Sequence, residues 1–115
     1  MKRIPKSDTT HIENAEGCDV YEHPLEDKDI NGSVIIINGR YPETGYALNK
    51  VCKELVYIIR GSGVLGLSDG TSTDFDEGDS LLINPNEKFF WEGEFESYMV
   101  CTPAFDPEQH IEVAE

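Results

Sequence analysis

Seven short runs rich in β-branched and aromatic residues follow one another along this chain: GCDVYEHPL, GSVIIING, GYALNKVCKELVYIIRG, GVLGLSDG, GDSLLINP, KFFWEGEF and SYMVCTP. Turn residues punctuate them at Asn31-Gly32, Asn38-Gly39, Asp69-Gly70 and Gly78-Asp79. Side chains of the first kind suit a pleated, half-buried surface, whereas Gly, Asn and Asp accept the backbone angles of tight turns. The pattern predicts an all-β, antiparallel sandwich or barrel, and no window carries a sustained helical period. The exception is the C-terminal end, where Asp106 can cap and Pro107 can begin a short helical turn running through His110. With 115 residues the chain suits one core and is too short for two. The expected division is an arm over residues 1–14, either disordered or docked on a neighbour, a barrel over 15–105, and a tail over 106–115.

Charge narrows the partners. Nine Lys and Arg against 23 Asp and Glu leave a net charge of −14. The acids crowd into Asp69–Asp79 and Glu87–Glu96. Such a surface repels nucleic acid and anionic membranes, and it also simply keeps a small protein soluble. No apolar run approaches the roughly 20 residues that span a bilayer. The basic N-terminal residues precede no apolar segment of a secretory signal, so a cytoplasmic location is the expectation. Cys18, Cys52 and Cys101 are odd in number and widely spaced, which points to buried thiols and not to a disulfide framework or a zinc site.

Two stretches carry a resemblance. Glu54, the six residues Leu55–Arg60 and Gly61 match the second half of the first cupin motif, in which two His precede a Glu and a Gly follows. Gly78-Asp79, the apolar Leu81, Leu82 and Ile83, and Asn84-Pro85-Asn86 match the opening of the second motif, with the Pro displaced by one place. The sequence therefore resembles the cupins over residues 45–93, with VCTPAF continuing as a closing strand. The resemblance implies a single double-stranded β-helix, or jelly-roll, barrel, with ELVYIIRGSGVLGL read as a strand, turn and returning strand. It also implies a homodimer formed through strands or arms at the sheet edges. The motif's two His fall on Leu48 and Lys50 or on Ala47 and Asn49, and the third falls on Phe89. Of the usual ligands only Glu54 remains, so no metal and no cofactor are expected. His11, His23 and His110 lie outside both motifs and read as surface histidines.

If Glu54 points into the barrel, as the resemblance implies, alternation puts Tyr46, Leu48, Lys50 and Cys52 on its side unless a bulge intervenes. Phe89 and Trp91 would line the same cavity or serve as core packing. Lys50 either neutralises Glu54 inside the barrel or, about 13 Å away along the strand, runs its ammonium to the barrel mouth. The ligand-binding candidates are thus Tyr46, Lys50, Cys52, Glu54, Phe89 and Trp91, with Glu54 the candidate catalytic group. Three functions follow. One is a metal-free cupin binding a small organic ligand in its cavity. Another is a metal-independent isomerase or lyase with Glu54 as general acid or base. The last is a structural dimer with a filled barrel.

Overall fold

The computed structural model describes residues 1–114. Nine strands form one curled sheet: β1 (Thr10–Ala15), β2 (Cys18–His23), β3 (Asn31–Tyr41), β4 (Tyr46–Asn49), β5 (Lys53–Leu67), β6 (Ser72–Asp76), β7 (Ser80–Ile83), β8 (Phe89–Thr102) and β9 (His110–Val113). Neighbouring strands pair antiparallel throughout, and β8 lies at the centre between β3 and β5. The far edge of β5 takes β7 along Glu54–Tyr57 and β6 along Ser62–Gly66. Beyond β3 come β2 and then β1, while β4 joins the other end of β8 and carries β9. The expected all-β antiparallel barrel is what the chain forms.

The GYALNKVCKELVYIIRG and GVLGLSDG runs redistribute. ELVYIIRGSGVLGL does not turn back on itself: β5 is one strand of 15 residues. A register shift between Ile58 and Arg60 places Ile59 as an extra residue opposite β8, bending the strand without reversing it. Gly61 follows at φ +91°, and a Cβ there would overlap the Glu94 carbonyl oxygen, so the position requires glycine. KFFWEGEF and SYMVCTP are likewise one strand, β8. Asn31-Gly32 and Asn38-Gly39 lie inside β3, because the pairing with β8 continues through both. Asp69-Gly70 and Gly78-Asp79 do form turns, between β5 and β6 and between β6 and β7.

Both ends of the chain enter the sheet. Residues 10–14, expected in the arm, belong to β1, which pairs with β2 and stacks His11 on Tyr21 at 4.6 Å between ring centroids. In the tail, the Asp106 side chain caps a single turn of 3-10 helix at Pro107–Gln109. The chain then becomes β9, so His110 begins a strand instead of ending the helical turn.

Alternation fills the interior. From β5, Val56 and Ile58 point inward and are fully buried, as is Ile83 of β7. Each such side chain contributes about 1.5–3 kcal/mol of burial. Phe75, Trp91 and Phe95 meet at centroid distances of 4.8–5.5 Å, with the two Phe75 contacts edge to face, the arrangement that ring quadrupoles favour. This cluster packs one end of the barrel and leaves the other hollow. Among the described residues no helix is long and apolar enough to cross a membrane.

Candidate functional site

The hollow end is a cavity of about 390 Å³. Its apolar wall includes Val20, Ile35, Ile37, Phe89, Trp91 and Met99. Phe105 and Pro107 of the segment leading to β9 and Ile12 and Asn14 of β1 also line it. A barrel filled solid by its aromatic residues is therefore not what the chain builds.

On the floor lies one chain of hydrogen bonds that draws on four separate strands. Asn49 ends β4, and its amide nitrogen donates to the Glu54 carboxylate. Its amide oxygen accepts from Gln109 Nε2 at 3.0 Å and meets His110 Nδ1 at 2.8 Å. An amide oxygen only accepts, so His110 Nδ1 carries a proton and donates. In the neutral ring Nε2 is then an acceptor, and it receives the Tyr41 hydroxyl at 2.9 Å. The result is Tyr41 to His110 to Asn49 to Glu54, each donor matched to an acceptor. No side-chain polar atom buried among the described residues lacks a partner.

Electrostatics sets the protonation of this chain. Glu54 is 3 % exposed. Burial pushes its carboxyl up to about 7, against the opposing hydrogen bond from Asn49. Burial holds His110 below the usual imidazole range, with Glu112 opposing, so the ring is neutral near pH 7. The Tyr41 phenol is raised well above its usual range, first by burial and then by Glu112, Cys18 and Glu54. Behind Glu54 lie Cys52 and Cys101; the hydrogen bond from Cys52 and then burial push the Cys101 thiol far above the thiol range. Burial and the Asp19 charge raise Cys18 to about 12. Cys52 goes the other way: the hydrogen bond with Cys101 holds its thiol below the ordinary thiol value, against burial and the Glu54 charge, while no cation among the described residues lines the cavity beside it.

Glu54, Phe89 and Trp91 all line the cavity. Lys50 does not: it is exposed, as is Val51, whereas Ala47, Asn49, Cys52 and Glu54 are buried. The bend between β4 and β5 spends two residues outside, which shifts the alternation by one and turns Tyr46, Leu48 and Lys50 away from Glu54. Tyr46 instead packs on Phe90 outside the cavity, 6.0 Å between centroids. Cys52 is buried behind the wall, where its backbone N–H donates to Gln109 Oε1 at 3.3 Å. No Lys or Arg among the described residues lines the cavity, so Glu54 has no cation there. His11 is exposed, as expected of a surface histidine, whereas His23 is half-buried with its Nδ1 3.2 Å from the Tyr98 hydroxyl. His110 departs from that expectation too, since β9 carries it to the cavity floor. The sequence reading missed Tyr41, Gln109 and His110 as site residues. Only Asn49 had a signal, as one of the alternatives for the second motif His.

The same geometry selects between those alternatives. Ala47 and Asn49 face inward beside Glu54, and Ala47 pairs directly with Phe89. The four positions that hold metal in cupins are thus a methyl, an amide, a carboxylate and a phenyl ring. These donors do not fit a transition metal, which requires imidazole or several carboxylates. Among the described residues no three His, Cys, Asp or Glu side chains cluster to replace them.

Strand order, barrel closure and the inward Glu54 define a cupin-type fold. The solved structures it is similar to include Pac13, described as a nucleoside dehydratase, at a TM-score of 0.86 and 17% identity, covering 98% of this chain and 91% of that one. Variants of the Streptomyces protein were solved with uridine. KdgF from Halomonas sp. superposes with a TM-score of 0.71 at 10% identity over 93% of this chain and 99% of that one. Ectoine synthase from P. lautus does so at 0.69 and 16% over 90% and 80%. No family model and no curated protein matches the sequence.

Proposed function

We propose that the protein is a metal-independent lyase of the dehydratase type, acting on a small hydroxylated molecule held in the barrel cavity. The observation that carries this reading is Glu54: a buried carboxyl, raised to about 7 with no cation beside it, on the same floor as the Tyr41–His110 pair. The cavity, at about 390 Å³, falls at the lower end of the roughly 300–1,000 Å³ typical of ligand sites. Similarity to a protein described as a nucleoside dehydratase supports the same class of chemistry.

The protonation states support one assignment of roles. Ionised Glu54 as base with protonated His110 as acid would need a pH above about 7 for one and below the depressed His110 value for the other. The reverse pairing has both groups in working form between those limits. Tyr41 therefore takes the proton from the carbon next to an activating group while passing its own hydroxyl proton to His110 Nε2. The C–H electrons form the new double bond as the C–O bond breaks. Glu54 gives its proton to the departing hydroxyl, which leaves as water. Asn49 holds Glu54 and His110 in register for both transfers.

Incubation with a panel of β-hydroxy carbonyl sugars and nucleosides, followed by mass spectrometry for loss of water, tests the reading. Turnover is expected for at least one compound and is abolished in Glu54→Gln. Undiminished turnover in that variant would remove Glu54 as the acid. A purely binding role for the cavity would appear as ligand-dependent rises in melting temperature with no product from any compound.

A further inference from the structure

Resting on the acid–base reading, the cavity wall also bears on the charge of what enters it. Glu54 of β5, Cys101 of β8 and Asn31 of β3 stand side by side in register. One strand further, Glu22 of β2 accepts from Asn31 Nδ2 at 3.3 Å. Glu22 and Glu54 both line the cavity, three strand spacings apart, or about 14 Å along the curved sheet. A ligand that fills the space thus lies between two carboxyl groups. The other polar groups on the wall, Asn14, Asn31, Ser33, Tyr41 and the neutral His110, carry no charge, and no described Lys or Arg joins them.

Charge beside the mouth is mostly of the same sign. The loop whose Lys28 carbonyl accepts from Ala104 N carries Glu26, Asp27 and Asp29. Two cations meet this loop: Lys28 holds its ammonium 3.5 Å from Asp29 with a side chain 91% exposed, and Lys2 Nζ donates to the Leu25 and Glu26 carbonyls. Asp106 and Glu108 flank Pro107 at the mouth, and the whole chain carries −14. A concave site of one sign inside low-dielectric walls focuses that potential on its contents. At an effective dielectric near 20, an anion about 7 Å from a carboxylate loses more than ten-fold in affinity.

We propose that the cavity takes neutral, polyhydroxylated molecules and excludes anionic ones, so that the substrate enters as the free alcohol or nucleoside and not as its phosphate or carboxylate, with Glu22 setting this selectivity. Glu22 accepts from ligand hydroxyls, while Trp91 and Phe89 offer an apolar face. A phosphate would meet Glu22 with no donor cation to offset it.

Calorimetric titration of the full chain at low ionic strength and pH 8 tests this with matched probes: uridine against its monophosphate, and ribose against its phosphate. The neutral member is expected to bind at least about ten-fold tighter in each pair. Glu22→Gln narrows the gap, and Glu22→Lys, whose long side chain reaches the mouth, reverses it. Equal or tighter binding of the phosphates by the wild type overturns the selectivity while leaving the acid–base reading standing. A gap unchanged in both folded variants overturns the role of Glu22. No binding of any probe overturns the ligand class together with the cavity reading on which it rests.

Discussion

Replacing Glu54 by Gln keeps the shape of the side chain and its acceptor for the Asn49 amide, and removes only the titration. The folded-state value is about 7 against an ordinary 4.5. A carboxyl raised on folding binds its proton more tightly in the folded state. Its contribution is therefore fully present below the unfolded value and is lost as pH rises through the folded one. The difference of about 2.5 units corresponds to about 3 kcal/mol lost between pH 4.5 and pH 8. Glu54→Gln does not suffer this loss. The variant is expected to match the wild type near pH 4.5 and to exceed it by about 3 kcal/mol at pH 8, an increase of roughly 10 °C or more in Tm for a chain of this size. Urea denaturation of both proteins across that range measures it. His110 titrates in both, so its own loss of stability below the ordinary imidazole value cancels in the comparison. A difference that stays flat with pH, or a variant weaker at pH 8, would show that Glu54 ionises in the fold without cost and would refute the reasoning.

Turnover should follow a bell, with its acid limb at the depressed His110 value and its alkaline limb at about 7, and Tyr41→Phe should lower kcat by about 10²–10⁴-fold while the fold persists. Ala47→His, Asn49→His and Phe89→His combined should restore a metal site with Glu54, giving the visible absorption of bound Co²⁺ where the wild type gives none; a folded triple variant without such a spectrum would refute the assignment of the four positions. Ile58→Ala, from a side chain 0% exposed, should cost about 2–5 kcal/mol in denaturant unfolding. Ile59→Ala, its neighbour on the bulge and 37% exposed, should cost under about 1 kcal/mol, and equal losses would mean the bulge is misplaced.

The all-β class was legible in the chain itself, because period-2 patterning and turn residues are local properties that each stretch carries alone, whereas the cupin-type barrel and the inward Glu54 were implied by the resemblance of Glu54–Gly61 and Gly78–Asn86 to the two cupin motifs. The absence of motif imidazoles was legible too, being a matter of residue identity. Lys50 was placed wrongly for a local reason of another kind: two residues spent in the bend between β4 and β5 invert every orientation upstream of it, and nothing in NKVCKE declares how many residues a bend will take. Tyr41 and His110 had no signal at all. They stand 69 positions apart and meet because β9 folds back onto β4, a pairing of four residues between exposed edges that depends on the rest of the sheet being in place. The hydrogen-bond chain from Tyr41 to Glu54 is therefore a product of strand order alone, since only closure of the barrel brings those side chains within hydrogen-bond reach and withdraws them from water.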